Sequence, residues 1–216
     1  MTRRFDVSDA HSRATGVKAA VTSARRGRLV LLPTESVYAV LTDAFSQTGV
    51  AALRTLKARP DAAALPVAVA SLSMLRGVAE RLPPHGQALV DAFWPGPLTI
   101  ICRQQPSLAW AVGGGRTLTV RMPLHPLALD VIGDVGPCVL MGADAPLDAD
   151  PTDQPTPGID VVLEAGPLPG PPLPSTVVDL RPERPVLLRA GSLGHGRLVS
   201  VVPDIQSPDV PGVPSP

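Results

Sequence analysis

The sequence predicts a mixed α/β fold, a single domain in which a twisted, open sheet carries flanking helices. Three observations carry that prediction. Short apolar runs alternate with helical patterns through the first two thirds of the chain, and short strands dominate after residue 138. The chain has 216 residues, enough for one well-filled core. Aromatics are only 3% of it, so Val, Leu, Ile and Ala must supply that core.

Taken in order, residues 14–26 read as an amphipathic helix, with Val17, Ala20 and Val21 on one face and Gly27 at the C-terminal stop. A β-rich run at 28–32 ends at Pro33. Residues 48–57 have helical spacing, with Val50, Leu53 and Leu56 on one side, and 65–70 is a strand candidate. Residues 71–82 and 84–93 read as two helices broken by Pro83-Pro84. Strands are expected at 97–102 and 118–121, linked across Gly113-Gly114-Gly115. A helix at 126–132 and a strand at 138–141 follow, then short strands at 161–163, 176–180 and 186–188. Residues 146–174 contain nine prolines and read as a long surface loop holding one short strand. Five prolines in 203–216 suggest a disordered tail, which sets the domain at 1–200 and the tail at 201–216.

Composition excludes several classes. Hydrophobic residues reach 44%, too many for a disordered chain, and few aromatic faces are present to stack single-stranded bases. No apolar run approaches the roughly 18 residues of a membrane span, and the start lacks a signal-peptide core. Cys102 and Cys138 lie in apolar runs, as buried free thiols of a reducing cytoplasm would. Two cysteines and four scattered histidines leave no metal site in view. The zero net charge is uneven: residues 1–59 carry +6 and the remainder −6, so the opening third would attract an anionic ligand.

Six segments carry polar chemistry. PTESVYAV at 33–40 sets the hydroxyls of Thr34, Ser36 and Tyr38 after a buried strand, either as a ligand site or as a capped strand-to-helix turn. LKARP ends a helix with Lys57 and Arg59, cations that suit the helix dipole or a phosphate clamp. FWPGPLTIIC at 93–102 reads as a rigid turn into a strand. In TLTVRMPLHP, Arg121 interrupts an apolar strand and needs an anionic partner, a salt-bridge residue or a ligand carboxylate. PSTVVDL places Ser175 before a strand, and VLLRAGSL places Arg189 after one. There is no Walker A motif and no dinucleotide fingerprint.

In their order and spacing, PTESVY, LKARP, FWPGPLT, VRMPLHP, STVVDL and LLRAG closely resemble the YrdC-type L-threonylcarbamoyladenylate synthase family, from about residue 14 to residue 198. The resemblance implies a YrdC-like fold with a concave, basic active-site face. It implies a nucleotidyltransferase that condenses L-threonine, bicarbonate and ATP to threonylcarbamoyl-AMP and pyrophosphate, for N6-threonylcarbamoylation of adenosine 37 in tRNA. Ser36, Arg121, Gly142 and Ser175 would meet threonine. Lys57, Arg59, Ala63, Thr117, Asp144, Thr152 and Arg189 would meet ATP. No general base stands out, which suits a reaction driven by placement and charge neutralisation. Magnesium would arrive with ATP, and tRNA or the downstream threonylcarbamoyl-transferase complex would be the macromolecular partners, in the cytoplasm and off the membrane. Longer family members add a C-terminal domain that this chain is too short to hold.

Departures cluster at one wall. The family's PTDTVYGL is PTESVYAV here, so Ala39 replaces a glycine. An expected asparagine is Ala63, and an occasional histidine is Ala68. The family's SAN-x-SG becomes GADAPLD at 142–148, with Gly142 for a serine and Asp144 for an asparagine. The helix expected between Thr152 and Ile159 is missing. These changes leave a second reading open, a catalytically degenerate paralogue that binds nucleotide or RNA without turnover.

Overall fold

The computed structural model describes residues 1–35, 37–143, 157–168 and 173–207. Its first strand, β1 (Arg3–Asp6), precedes helix α1 (Ala10–Arg25). The helix begins before residue 14 because the Asp9 carboxylate accepts the Ser12 N–H at 2.6 Å, an N-cap that supplies one orphan donor with a partner. Gly27, with φ +68°, closes it. Then come β2 (Leu29–Pro33), β3 (Tyr38–Asp43), α2 (Gln47–Leu56) and β4 (Val67–Ala68). Ser46 and Ser71 cap α2 and α3 (Leu72–Val78), whereas α4 (Pro84–Phe93) and α5 (Pro126–Val135) start on a proline whose missing N–H costs nothing there. Between the last two lie β5 (Leu98–Arg103) and β6 (Thr117–Arg121). The chain continues through β7 (Cys138–Gly142), β8 (Ile159–Glu164), β9 (Thr176–Asp179), β10 (Val186–Arg189) and α6 (His195–Val199).

All ten strands join one mixed sheet in the order β1-β8-β2-β3-β7-β4-β6-β5-β9-β10. β8 runs parallel to both its neighbours, β4 to β6 and β5 to β9, and the other contacts are antiparallel. Side-chain alternation sorts the core into two layers. Ala20, Val21 and Ala24 of α1 and Leu127, Val131 and Ile132 of α5 cover Val30, Leu32, Leu41, Ala68 and Leu140 on one face. On the other face α2, α3, α4 and α6 cover Leu31, Val40, Ile100, Val120 and Val178. In β6 the burial alternates strictly. Leu118 and Val120 enter this second layer, while Thr117, Thr119 and Arg121 point the opposite way and stay half-buried.

Four expectations are corrected. PTESV is not a strand-to-helix turn: Thr34 N–H donates to Val37 O at 2.9 Å, and the chain reverses into β3, which pairs with β2. The one short strand expected within the proline-rich stretch is present as β8, which inserts between β1 and β2, with Val161, Val162 and Leu163 fully buried. The strand at 65–70 shortens to two residues, and the helix at 71–82 stops at Val78 because Ala79 bridges to Gln104. Packing continues past residue 200: Val202 and Ile205 are buried and Gln206 bridges to Val186. Cys102 and Cys138 are buried and free, and burial raises both thiols, Cys102 to about 12 with further push from Asp179 and Glu80. Among the described residues no helix is long and apolar enough to cross a membrane.

Candidate functional site

The site grows from the half-buried face of β6. Register places Arg121 opposite Thr99 of β5 and beside Ala68 of β4. An arginine there needs an anion, and Glu35 from the β2–β3 turn provides it, accepting from Arg121 Nη2 through Oε1. The second oxygen, Oε2, accepts the Leu124 N–H at 3.2 Å, so the carboxylate is fixed from two sides. Both side chains are only 15% exposed. The Nε of Arg121 is buried without a hydrogen-bond partner among the described residues. A buried, unsatisfied guanidinium N–H is costly unless something arrives to accept it.

Next to this pair, the hydroxyls of Thr99 and Ser175 lie 2.8 Å apart. Arg189 donates through Nε and Nη2 to the Ser175 carbonyl at 3.1 and 2.9 Å, and reaches Ser175 Oγ at 3.3 Å. The segments meet closely because Gly191 has no side chain: a Cβ there would lie 2.2 Å from Pro174 O. Arg121, Ser175 and Arg189, predicted from separate motifs, are thus linked through Thr99 and the sheet, and Glu35 and Thr99 join them. Gly142 ends β7 opposite Ala39, and among the described residues a Cβ built on it would touch only Val37 Cγ2, at 3.6 Å. The φ of Ala39 is not positive, and its methyl packs in the α1–α5 layer, so the loss of glycine there strains nothing. Of the three turn hydroxyls, Thr34 binds Val37 O, and Tyr38 accepts from Ala165 N–H and donates to Gly166 O. Both are committed to the fold. Ser36, Asp144 and Thr152 lie outside the described residues.

A second group forms at the start of β6, four residues and about 13 Å from Arg121. Lys57 is the C-cap of α2, Ala58 takes a left-handed φ of +47°, and Arg59 N–H donates to Arg54 O at 2.9 Å. Sequence reasoning missed Arg54, which shares the helical face of Val50 and Leu53 and is only 5% exposed. Its Nη1 donates to Pro60 O and Ala63 O at 2.6 and 2.9 Å, and its Nη2 to Ala111 O at 3.2 Å. Arg54 therefore ties the loop carrying Lys57, Arg59 and Ala63 to the glycine-rich loop before Thr117. Gly113, with φ +76°, allows that approach, since a Cβ would lie 2.6 Å from Ala63 O. Thr117 Oγ1 accepts from Arg181 Nη1 at 3.0 Å. His125, the N-cap of α5, lies near Glu35. Burial lowers its pKa, with Glu35 pushing it up and Arg13 down, and its Nδ1 is buried without a partner among the described residues.

The sheet thus presents, on one face, a guanidinium Nε without a partner among the described residues, and a basic loop lies near the start of the same strand. Such an arrangement can hold a carboxylate and a phosphate chain together.

The chain is similar to known proteins over most of its length. The Sua5/YciO/YrdC family model, described as telomere recombination, matches residues 22–191. A Mycobacterium tuberculosis protein provisionally named threonylcarbamoyl-AMP synthase is 36% identical over 209 residues, 94% of this chain and 96% of that protein. A threonylcarbamoyl-AMP synthase of Pyrococcus abyssi is 32% identical over 191 residues, 84% of this chain but 56% of that protein. The structure of P. abyssi Sua5 complexed with L-threonine superposes with a TM-score of 0.80 at 28% identity, covering 96% of this chain and 62% of the other.

Proposed function

The chain belongs to the Sua5/YciO/YrdC family, and from this footing we propose that it is a threonylcarbamoyl-AMP synthase, a nucleotidyltransferase acting on L-threonine, bicarbonate and ATP. The observation that carries the reading is the buried Nε of Arg121, without a partner among the described residues and set beside the Thr99–Ser175 hydroxyl pair. The threonine carboxylate would accept from Nε while Glu35 keeps hold of Nη2. Ser175 and Thr99 would orient the amino acid. Its amine, as the free base, adds to bicarbonate and water is lost, which gives a carbamate. A carbamate oxygen then attacks the α-phosphorus of ATP and pyrophosphate departs.

Lys57, Arg59, Thr117 and Arg189 would meet the nucleotide, with Ala63 in the same loop as Lys57 and Arg59, and Asp144 and Thr152 assigned to it by resemblance. Magnesium bound to ATP would neutralise phosphate charge. Among the described residues no three carboxylates, imidazoles or thiols converge to cage the ion, so phosphate oxygens and water would be its principal ligands. Rate enhancement comes from juxtaposing two anions against fixed cations, not from a strong base. The product would pass to tRNA modification in the cytoplasm, through tRNA or a downstream transferase complex.

A second reading, a nucleotide- or RNA-binding paralogue without turnover, is favoured by Gly142, which offers no side chain toward substrate, and by Asp144, a carboxylate where the family carries an asparagine. Pyrophosphate release separates the two. The synthase releases it from ATP only when threonine and bicarbonate are both present, and a folded sample that releases none at millimolar substrate is not a synthase.

A further inference from the structure

Most of the basic excess in the opening third of the chain lies away from Arg121 and from the loop of Lys57 and Arg59. Residues 1–28 hold seven Lys and Arg against two acids, so they carry +5 of the +6 found in residues 1–59. Helix α1 contains no acid at all. Its C-terminus meets the first residues of β1, β2 and β8 at a pocket of about 210 Å³, lined by Arg3, Thr22, Ser23, Arg26, Arg28 and Asp160. Three guanidiniums share this pocket with one carboxylate, a formal charge of +2. Asp160 is already engaged. Its Oδ2 accepts from Ser23 Oγ at 2.6 Å and from Arg3 Nη2 at 2.8 Å, and its Oδ1 accepts from Arg28 Nη1 at 3.1 Å. Ser23 is only 1% exposed, so the carboxylate is anchored from inside the fold. Arg3 and Arg28 each spend one nitrogen on Asp160, and their other N–H groups have no partner among the described residues. The Arg26 side chain has neither a hydrogen bond nor an ion pair among the described residues.

We propose that this pocket binds a phosphate group, at a site separate from the reaction centre. Asp160 holds two arginine forks in place, and the +2 that remains is what a phosphate dianion neutralises. Structural ion pairing leaves the third arginine unexplained. The other carboxylate of β8, Glu164, lies at the far end of that strand and pairs with Arg4. A helix C-terminus opposes an anion where its carbonyls are bare. Here they are covered: Arg26 and Arg28 N–H both donate to Ser23 O, and Gly27 N–H donates to Ala24 O. The pocket also lies at the opposite end of β2 from the turn that carries Glu35, with about 16 Å of strand between Arg28 and Pro33. The same chemistry fits a free phosphate or a phosphate of an RNA backbone. Lys18, one helical turn before Thr22 and exposed like it, would extend the positive surface for the second.

Inorganic phosphate and a short RNA duplex are the probes, titrated at constant ionic strength into the full chain while the arginine Nε–H resonances are followed by NMR. Phosphate should shift Arg3, Arg26 and Arg28 saturably, and because each resonance reports its own residue, phosphate bound near Lys57 does not register. Arg26→Ala removes a side chain without a contact to lose among the described residues, so the fold should be kept. Read at Arg3, Arg26→Ala and Arg28→Ala should each weaken phosphate about fivefold, the effect of one exposed charge pair. Arg76→Ala, in the exposed last turn of α3, controls for loss of charge in general and should leave the midpoint unchanged. A duplex that shifts the same resonances at lower concentration than phosphate, and loses that advantage in Arg26→Ala, supports the site with an RNA backbone as its ligand. Saturation by phosphate without such a duplex effect supports it with a free phosphate. No saturable shift with either probe, a change below about twofold in both variants, or an equal loss in Arg76→Ala overturns the proposal. Pyrophosphate release should be the same in Arg26→Ala as in the wild type. A chain that binds phosphate here but releases no pyrophosphate keeps this site and overturns the synthase reading.

Discussion

Replacing Arg121 tests the functional reading most directly. In the free protein Arg121 commits Nη2 to Glu35, and its buried Nε has no partner among the described residues. A threonine carboxylate at Nε gains one charge-assisted hydrogen bond, about 1.5–3 kcal/mol. Arg121→Ala should therefore lower kcat/KM for threonine by roughly 10- to 150-fold, at about 1.4 kcal/mol per tenfold. The alanine variant also leaves Glu35 facing the incoming carboxylate with its charge uncompensated. Adding Glu35→Gln should therefore recover part of the loss, a coupling that only neighbouring groups show. The nucleotide end of β6 lies about 13 Å away, beyond the screening length of about 8 Å at physiological salt. KM for ATP should accordingly stay within about threefold of wild type. The assay is steady-state pyrophosphate release, with threonine varied at saturating ATP and bicarbonate and then ATP varied at saturating threonine. Equal losses for threonine and ATP, in a variant with unchanged melting temperature, would refute the carboxylate role.

Arg54→Met should cost about 3 kcal/mol by stranding three carbonyls and lower Tm by about 6–12 °C. Arg54→Lys, which keeps the charge, should lose less, and both should raise KM for ATP more than KM for threonine in the pyrophosphate assay. The lowered pKa of His125 means that the unfolded chain takes a proton before the folded one does. Stability should therefore fall as pH drops through about 6.5. Thermal melts from pH 7.5 to 5.5 should show that fall in the wild type and a shallower one in His125→Gln. Cys102 and Cys138 should not react with a thiol reagent at pH 8 in the native protein, because burial keeps both protonated, and both should react once it is unfolded. Rapid labelling of either in the folded state would contradict their placement.

How far the site could be read in the sequence depends on the range of the interaction that builds it. The strand with Thr117 and Arg121 was legible because its alternation is local, and so were the helices begun by Pro84 and Pro126, whose start signals lie in the first turn. The motifs also located Ser175 and Arg189 as polar groups beside strands. What joins them to Arg121 is a parallel pairing of β5 with β9, with partners 78 residues apart such as Leu98 and Thr176, and no local pattern encodes such a pairing. β8 illustrates the same limit. Its apolar triplet was visible within the prolines, but its central place between β1 and β2 follows only from the register of Arg3 and Leu29 against it. Glu35 reaches Arg121 across 86 residues. Arg54 was hidden for a different reason: on a helical wheel a cation beside Val50 and Leu53 reads as a solvated neighbour of the apolar stripe. Only the carbonyls of Pro60, Ala63 and Ala111, which converge on it in the fold, make it an inward residue. Residues that bind through their own side chains therefore carry a motif, while residues that hold those binders in place leave almost none. Arg54 belongs to the second kind. A substitution there should disturb nucleotide use although Arg54 occupies no position that the motifs mark for ligand.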